Sequence, residues 1–132
     1  MATVTESALQ AKTIMPNLTV DDLPASIRFF EGLGFAIDER WEEGGTLNGV
    51  TLRAGNAHIG LSQDDWKKGR DRKKGVGTRI FIETAQNIDE LAARAKKAGV
   101  NLKAEPHDTE WGSRAFEATE PSGFMLTISS QA

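Results

Sequence analysis

The sequence predicts an α+β fold of two βαβββ modules that together form a curved mixed sheet. Three observations carry this expectation. Period-two alternation and helical periodicity follow one another in the same order twice. Each helical stretch has its own polar start and glycine stop. Each copy ends in a hairpin whose turn contains glycine.

Residues 1–12 lack the apolar stretch of a signal peptide and read as a loose or weakly helical tail. Residues 13–20 alternate, with Ile14, Leu18 and Val20 on one side and Met15, Asn17 and Thr19 on the other. Pro16 there suits an edge or a strand start. Asp21-Asp22-Leu23-Pro24 opens a helix, because an Asp side chain accepts from an orphan N–H and an early Pro has no needed N–H to lose. That helix runs to Leu33, buries Ile27 and Phe30, and stops at Gly34 in a left-handed cap. Residues 35–42, 47–53 and 57–62 read as strands, separated by turns at Glu43-Gly44-Gly45 and Ala54-Gly55-Asn56.

Residues 64–77 form the one long irregular stretch, rich in Lys, Arg and Gly. The pattern then restarts. Residues 78–84 alternate as a strand, and Asn87 caps a helix that buries Ile88, Leu91, Ala92, Ala95 and Ala98 before Gly99 ends it. Residues 100–104 are a strand, and His107 falls in a loop after it. Residues 113–119 and 124–129 are the arms of a hairpin around Glu120-Pro121-Ser122-Gly123.

The repeat is countable. An offset of 65 places Asp22 on Asn87, Phe30 on Ala95, Gly34 on Gly99 and Phe35 on Val100. An offset of 67 places Ala57-His58-Ile59-Gly60-Leu61 on Phe124-Met125-Leu126-Thr127-Ile128. Each copy alone is near the lower size limit for a stable core, so the two are expected to share one. The expected organisation is a tail at 1–12 and a single domain at 13–132, with a first module at 13–63, a linker at 64–77 and a second module at 78–129.

Composition narrows the function classes. The chain has no cysteine, which excludes disulfides, thiolate zinc sites and thiol nucleophiles. A net charge of −3 argues against general nucleic-acid binding, which needs a broad basic surface. No apolar run approaches a membrane span, and a cytoplasmic location is the expectation. The serines have no inferable His–carboxylate partner and no nucleophile-elbow glycine pattern, so nucleophilic catalysis has little support.

The strands of both copies have an apolar side for a helix and a mixed side for something else. The mixed sides carry Met15, Asn17 and Thr19, then His58, Gly60 and Ser62, in the first copy. In the second they carry Arg79, Phe81 and Glu83, then Met125, Thr127 and Ser129. Such faces on a curved sheet enclose a groove; a plain solvated sheet face is the alternative.

The ordered set Val20-Asp-Asp-Leu-Pro-Ala-Ser-Ile-Arg-Phe-Phe-Glu-Gly-Leu-Gly-Phe35, Asn87-Ile-Asp-Glu-Leu with Ala98-Gly99, and Trp111-Gly-Ser-Arg with Glu120-Pro-Ser-Gly resembles the vicinal oxygen chelate superfamily. This superfamily holds glyoxalases, bleomycin-resistance proteins and extradiol dioxygenases. The resemblance spans residues 13–129 and implies paired modules around a U-shaped groove, usually in a homodimer. Metal-dependent members place His, Glu or Gln ligands at four groove positions. By resemblance these fall on Met15, Gly60, Arg79 and Thr127, none of which is a normal divalent-metal ligand. No metal and no cofactor are therefore expected.

The resemblance to bleomycin-resistance proteins directs attention to aromatics, which bury area at low entropic cost. Trp41, Trp66 and Trp111 are candidate ligand contacts, with His58, Arg79, Met125 and Thr127 beside them. Each Trp also has a structural reading. The run Trp66-Lys-Lys-Gly-Arg-Asp-Arg-Lys-Lys-Gly75 holds six basic side chains and reads as a solvated linker. The expected function is metal-free binding of a small, planar or aromatic molecule by a homodimer. The alternatives are a lyase or isomerase with catalytic groups relocated to His58, Glu83 and Arg79, and a non-catalytic assembly protein. No catalytic residue is assigned.

Overall fold

A computed structural model describes residues 5–131. Its elements run β1 (Asn17–Val20), α1 (Leu23–Leu33), β2 (Ala36–Glu43), β3 (Thr46–Ala54), β4 (Ala57–Gln63), β5 (Arg79–Thr84), α2 (Ile88–Lys97), β6 (Leu102–Asp108), β7 (Arg114–Thr119) and β8 (Met125–Ser130). The βαβββ order thus occurs twice. The mixed sheet is realised as two four-stranded sheets, ordered β1-β4-β3-β2 and β5-β8-β7-β6. In each, the first strand of the module runs parallel to the last, and the other pairings are antiparallel.

Both helices form for the reasons legible in their termini. Asp22 accepts from the Ala25 N–H at 3.2 Å, and Asn87 from the Glu90 N–H at 3.0 Å. Gly34 closes α1 at φ 113°, in the left-handed region that a side chain rarely enters, and its N–H donates back to the last turn. In α2, Asp89 and Glu90 lie in the first turn and Arg94, Lys96 and Lys97 in the last, which complements the helix dipole.

The two helices lie against each other, α1 covering β3 and β4 and α2 covering β6, β7 and β8. One contiguous core joins them, with Val20, Phe30, Val50, Leu52 and Leu61 from the first module and Ala95, Phe116 and Leu126 from the second. Phe30 meets Phe29 and Phe35 edge-on, at centroid distances of 5.2 and 5.4 Å. The apolar strand faces therefore look inward, toward the helices.

Three sequence expectations are corrected. The first strand begins at Asn17, four residues later than expected, and Ile14 is 86% exposed instead of sharing the core with Leu18 and Val20. Pairing with β4 starts where the Gly60 N–H reaches the Pro16 carbonyl; Pro16 carries no N–H with which to continue the ladder toward residues 13–15, although β4 itself begins at Ala57. The sixth strand extends to Asp108, so His107 is in a strand and not in a loop; Pro106 is tolerated because β6 is an edge strand with a register shift there.

The third correction concerns the linker. It was expected to be solvated, yet the Lys74 side chain is buried and pairs with Asp21 and with Asp64, the latter at 2.8 Å. Its ammonium lies 4.7 Å from the Trp66 ring centroid. Behind it, Gly75 packs so closely on the Gly123 backbone that a Cβ would stand 2.2 Å from the Gly123 carbonyl oxygen. The basic run thereby ties the end of the first module to the last hairpin turn of the second. Residues 5–12 of the expected tail hold neither helix nor strand, and residues 1–4 lie outside the described residues. No helix of the described residues is long and apolar enough to cross a membrane.

Candidate functional site

With the apolar faces turned toward the helices, the mixed faces are left outward. Register pairing shows what they bring together. On the first sheet, Asn17 lies beside Gly60 and Thr19 beside Ser62, with Thr51 and Gly49 across from them on β3 and Glu39 and Trp41 beyond on β2. On the second, Phe81 lies beside Thr127 and Arg79 beside Met125, with Glu117 and Thr119 across on β7.

Glycine shapes the first face. A Cβ on Gly60 would stand 2.5 Å from the Asn17 Oδ1, so the Asn17 amide lies across the strand where Gly60 has no side chain. That amide donates to the Ser62 Oγ at 3.1 Å. Likewise, a Cβ on Gly49 would lie 3.3 Å from Cε3 of Trp41, so the indole rests against the sheet and remains 48% exposed. The result is a shallow floor of small polar groups with one aromatic wall.

The second face is bulkier. Phe81 is 63% exposed on it, an unusual cost for a phenyl ring on a strand. The Lys103 ammonium lies 3.6 Å from the Met125 sulfur. His107 sits opposite Ala115, on this same face. Asn17, Phe81 and His107 therefore belong with the candidate residues. The first two stand on the mixed sides already identified by alternation; His107 was hidden by the register shift in β6.

The remaining candidates separate. His58 stands on β4 opposite Arg53, on the first sheet, whereas Arg79, Met125 and Thr127 belong to the second. Met15 precedes β1. Trp66 lies in the linker at φ 63°, with Arg70 4.8 Å and Lys74 4.7 Å from its ring, so its aromatic surface is engaged by the chain's own cations. Trp111 occupies the turn before β7 and is 65% exposed; the packing in that motif comes from Ser113, which is buried and hydrogen-bonded to the Thr109 hydroxyl at 2.8 Å. Arg114 completes the motif by a bidentate pair with Asp89, at 2.7 and 2.9 Å, and a further bond to Asp108. That guanidinium holds the Asp89 carboxyl below its usual range.

Relocated catalysis by His58, Glu83 and Arg79 has no support from this geometry within one chain. Arg79 and Glu83 are four residues apart on one strand, about 13 Å, and His58 is on the other sheet. The four positions at which metal-dependent relatives hold a cation offer no donor set either. Gly60 and Thr127 have Asn17 and Phe81 as their neighbours across the parallel pair. Among the described residues, no group of three His, Asp or Glu side chains converges to hold a metal ion.

Comparison with known proteins agrees with this architecture. The family profile of the Glyoxalase/Bleomycin resistance protein/Dioxygenase superfamily matches residues 11–128. A member of that superfamily from Sphaerobacter thermophilus superposes with a TM-score of 0.70 at 22% identity, covering 92% of this chain and 98% of its own. TioX from Micromonospora superposes with a TM-score of 0.68 at 17% identity, covering 92% and 97%. A virulence protein from Salmonella typhimurium does so at 0.65 and 21% identity, covering 94% and 99%. No curated protein matches the sequence.

Proposed function

The chain belongs to the Glyoxalase/Bleomycin resistance protein/Dioxygenase superfamily, and on that premise we propose that it is a homodimeric protein that binds a small planar or aromatic molecule without a metal ion. The observation that carries this reading is the pair of outward mixed faces. One holds Trp41 over a floor of Gly49, Gly60, Asn17 and Ser62; the other projects Phe81 beside Thr127. Aromatic walls over a small-residue floor suit a flat ligand, because stacking buries large rigid area with little rotamer entropy to lose.

The two faces belong to different sheets, with the helices packed on the inward sides of both. A second copy of the chain supplies the missing opposite wall: the first sheet of one protomer faces the second sheet of its partner. This accounts for an exposed Phe81 and an exposed Trp41, which a monomer would leave in water. Met15, Gly60, Arg79 and Thr127, expected at the four ligand positions, keep metal chemistry out of the reading because none is a normal divalent-metal ligand, and Asn17 and Phe81, which stand beside Gly60 and Thr127, do not complete a divalent site.

The test joins three measurements on the full chain. Light scattering is expected to give a dimer mass. Elemental analysis of protein purified without chelators is expected to give no stoichiometric divalent ion. Titration with acridine, quinoline and bithiazole compounds is expected to quench tryptophan fluorescence with saturation at one or two ligands per dimer, and Trp41→Ala to weaken that binding by about tenfold or more. A tightly held stoichiometric metal, or a monomer that binds as well as the dimer, would defeat the proposal.

A further inference from the structure

At the end of the first outward face, where β1 and β4 run into the linker, lies a pocket of about 330 Å³. Thr19, Gln63, Asp64 and Asp65 form its strand side, and Lys67, Lys68 and Arg72 its linker side. Thr19 alternates with the buried Leu18 and Val20, so its side chain stands on the outward side with Asn17 and beside Ser62. The pocket therefore adjoins the floor formed by Asn17, Gly60 and Ser62.

This part of the linker is a folded turn. Trp66 takes a left-handed backbone at φ 63°; its N–H donates to the Asp64 carboxylate at 2.9 Å and its carbonyl accepts from the Gly69 N–H at 3.1 Å. Lys67 and Lys68 are carried on that turn, and Arg70 and Lys74 lie against the Trp66 ring.

The acceptors and donors around the pocket are unequally used. The Gln63 Oε1 accepts from the Leu23 N–H at 2.9 Å, and its amide donates to the Asp21 carbonyl at 2.8 Å. Asp64 is buried and holds the Lys74 ammonium at 2.8 Å as well as the Trp66 N–H. Asp65 accepts from the Lys67 N–H at 3.0 Å, with its other oxygen 3.9 Å from the Lys67 ammonium. Each acceptor thus has a partner within the chain. Three donors are left over. Among the described residues, Lys68 has no ion pair, the Thr19 hydroxyl has no hydrogen bond, and Arg72 reaches only Asp64, through one nitrogen at 3.4 Å. A guanidinium carries more N–H groups than that one contact uses. What completes such a pocket is an acceptor with negative charge.

We propose that the flat ligand of the first face is an anion of the aromatic carboxylate class, its carboxylate held in this pocket by Lys68, Arg72 and the Thr19 hydroxyl. The inference rests on the planar-ligand reading and adds the sign of the ligand's charge. The planar fork of Arg72 matches a carboxylate. With a net charge of −3 the chain as a whole repels an anion, whereas residues 64–77 set six basic side chains against Asp64, Asp65 and Asp71 and draw it to this end of the face.

Isothermal titration of the full chain at neutral pH with naphthalene-2-carboxylate, 2-naphthalenemethanol and 2-naphthylmethylammonium separates the ring from the charge. The carboxylate is expected to bind about tenfold more tightly than the alcohol, and the ammonium more weakly than either. Lys68→Gln and Arg72→Gln are each expected to weaken carboxylate binding by about threefold to tenfold and to leave the alcohol unchanged. Lys73→Gln removes the same charge from the same run outside the pocket, and is expected to change carboxylate binding by no more than about twofold. The inference fails, and the planar-ligand reading stands, if the alcohol or the ammonium binds as well as the carboxylate, or if Lys68→Gln or Arg72→Gln binds the carboxylate as the parent does. It fails in the same way if Lys73→Gln weakens binding as much as Lys68→Gln, or if Trp41→Ala weakens the alcohol but not the carboxylate. If none of the naphthalenes binds, the planar-ligand reading falls and takes the inference with it.

Discussion

The two modules repeat one topology, but their helices are buried differently. α1 buries Leu23, Ser26, Ile27, Phe29, Phe30 and Gly32, a stripe wide enough to wrap most of the helix. α2 buries only Ile88, Ala92 and Ala95, a narrower stripe. The difference follows from position. α1 covers its own sheet and also presses on the second module, where a Cβ on Gly32 would come 2.7 Å from Cγ2 of Val100. Its Ser26 hydroxyl donates to Glu120, a fully buried carboxylate in the last hairpin turn, whose other oxygen accepts from the Ser122 N–H at 2.6 Å. A duplicated sequence unit has thus acquired unequal halves, with α1 as the shared element.

Substitutions at paired positions test that inequality. Phe30→Ala is expected to cost about 3–5 kcal/mol in urea unfolding, whereas Ala95→Gly at the equivalent place in α2 costs about 1 kcal/mol. Equal losses would remove the distinction. Gly32→Leu is expected to destabilise by about 1–3 kcal/mol through overpacking against Val100, while Lys97→Leu, its exposed counterpart, stays within about 0.5 kcal/mol. Thermal melts of the two variants decide it. Ser26→Ala leaves a buried carboxylate oxygen without its donor and is expected to cost about 1–3 kcal/mol, read by the same unfolding assay.

The smallest effect is the most conditional. The hydrogen bond from Lys74 holds the Asp64 carboxyl below its usual range, and the Trp66 N–H adds to this. A depressed folded pKa means that Asp64 contributes its stability above the unfolded value of about 3.9 and loses it as pH falls through the folded value. Lys74 is shifted the other way: burial opposes its charge, but the hydrogen bonds it donates to Asp21 and Asp64 outweigh that and raise it. Its contribution persists below the unfolded value of about 10.4 and is lost only as pH rises through the folded one. Asp64→Asn is therefore expected to lower the melting temperature at neutral pH and to converge with the parent at strongly acidic pH. A difference independent of pH would show that the linker clasp is not electrostatic.

Much of the fold was legible because its signals are local. Asp22 and Asn87 cap with their own side chains, Gly34 needs a positive φ that glycine allows, and alternation in β4 and β8 separates the two faces by period alone. The misreadings share a cause in pairing. Residues 13–15 alternate like a strand, but Pro16 has no N–H with which to carry the pairing back along β4. Pro106 and His107 look like a loop because a register shift breaks the period within β6. Lys74 sits in a run of six similar side chains, and nothing in the run distinguishes the one that is buried.

The sequence by itself determined the duplicated βαβββ order, the helix termini, the family, and the polar character of the outward faces, because each depends on spacing along the chain. Tertiary structure decided which residues stand side by side. Asn17 and not Met15 lies next to Gly60, and Phe81 lies next to Thr127. Those neighbours are set by strand register and by how α1 seats against the second module, and both depend on the closest packing that Gly32, Gly60 and Gly75 permit between backbones and side chains distant in sequence.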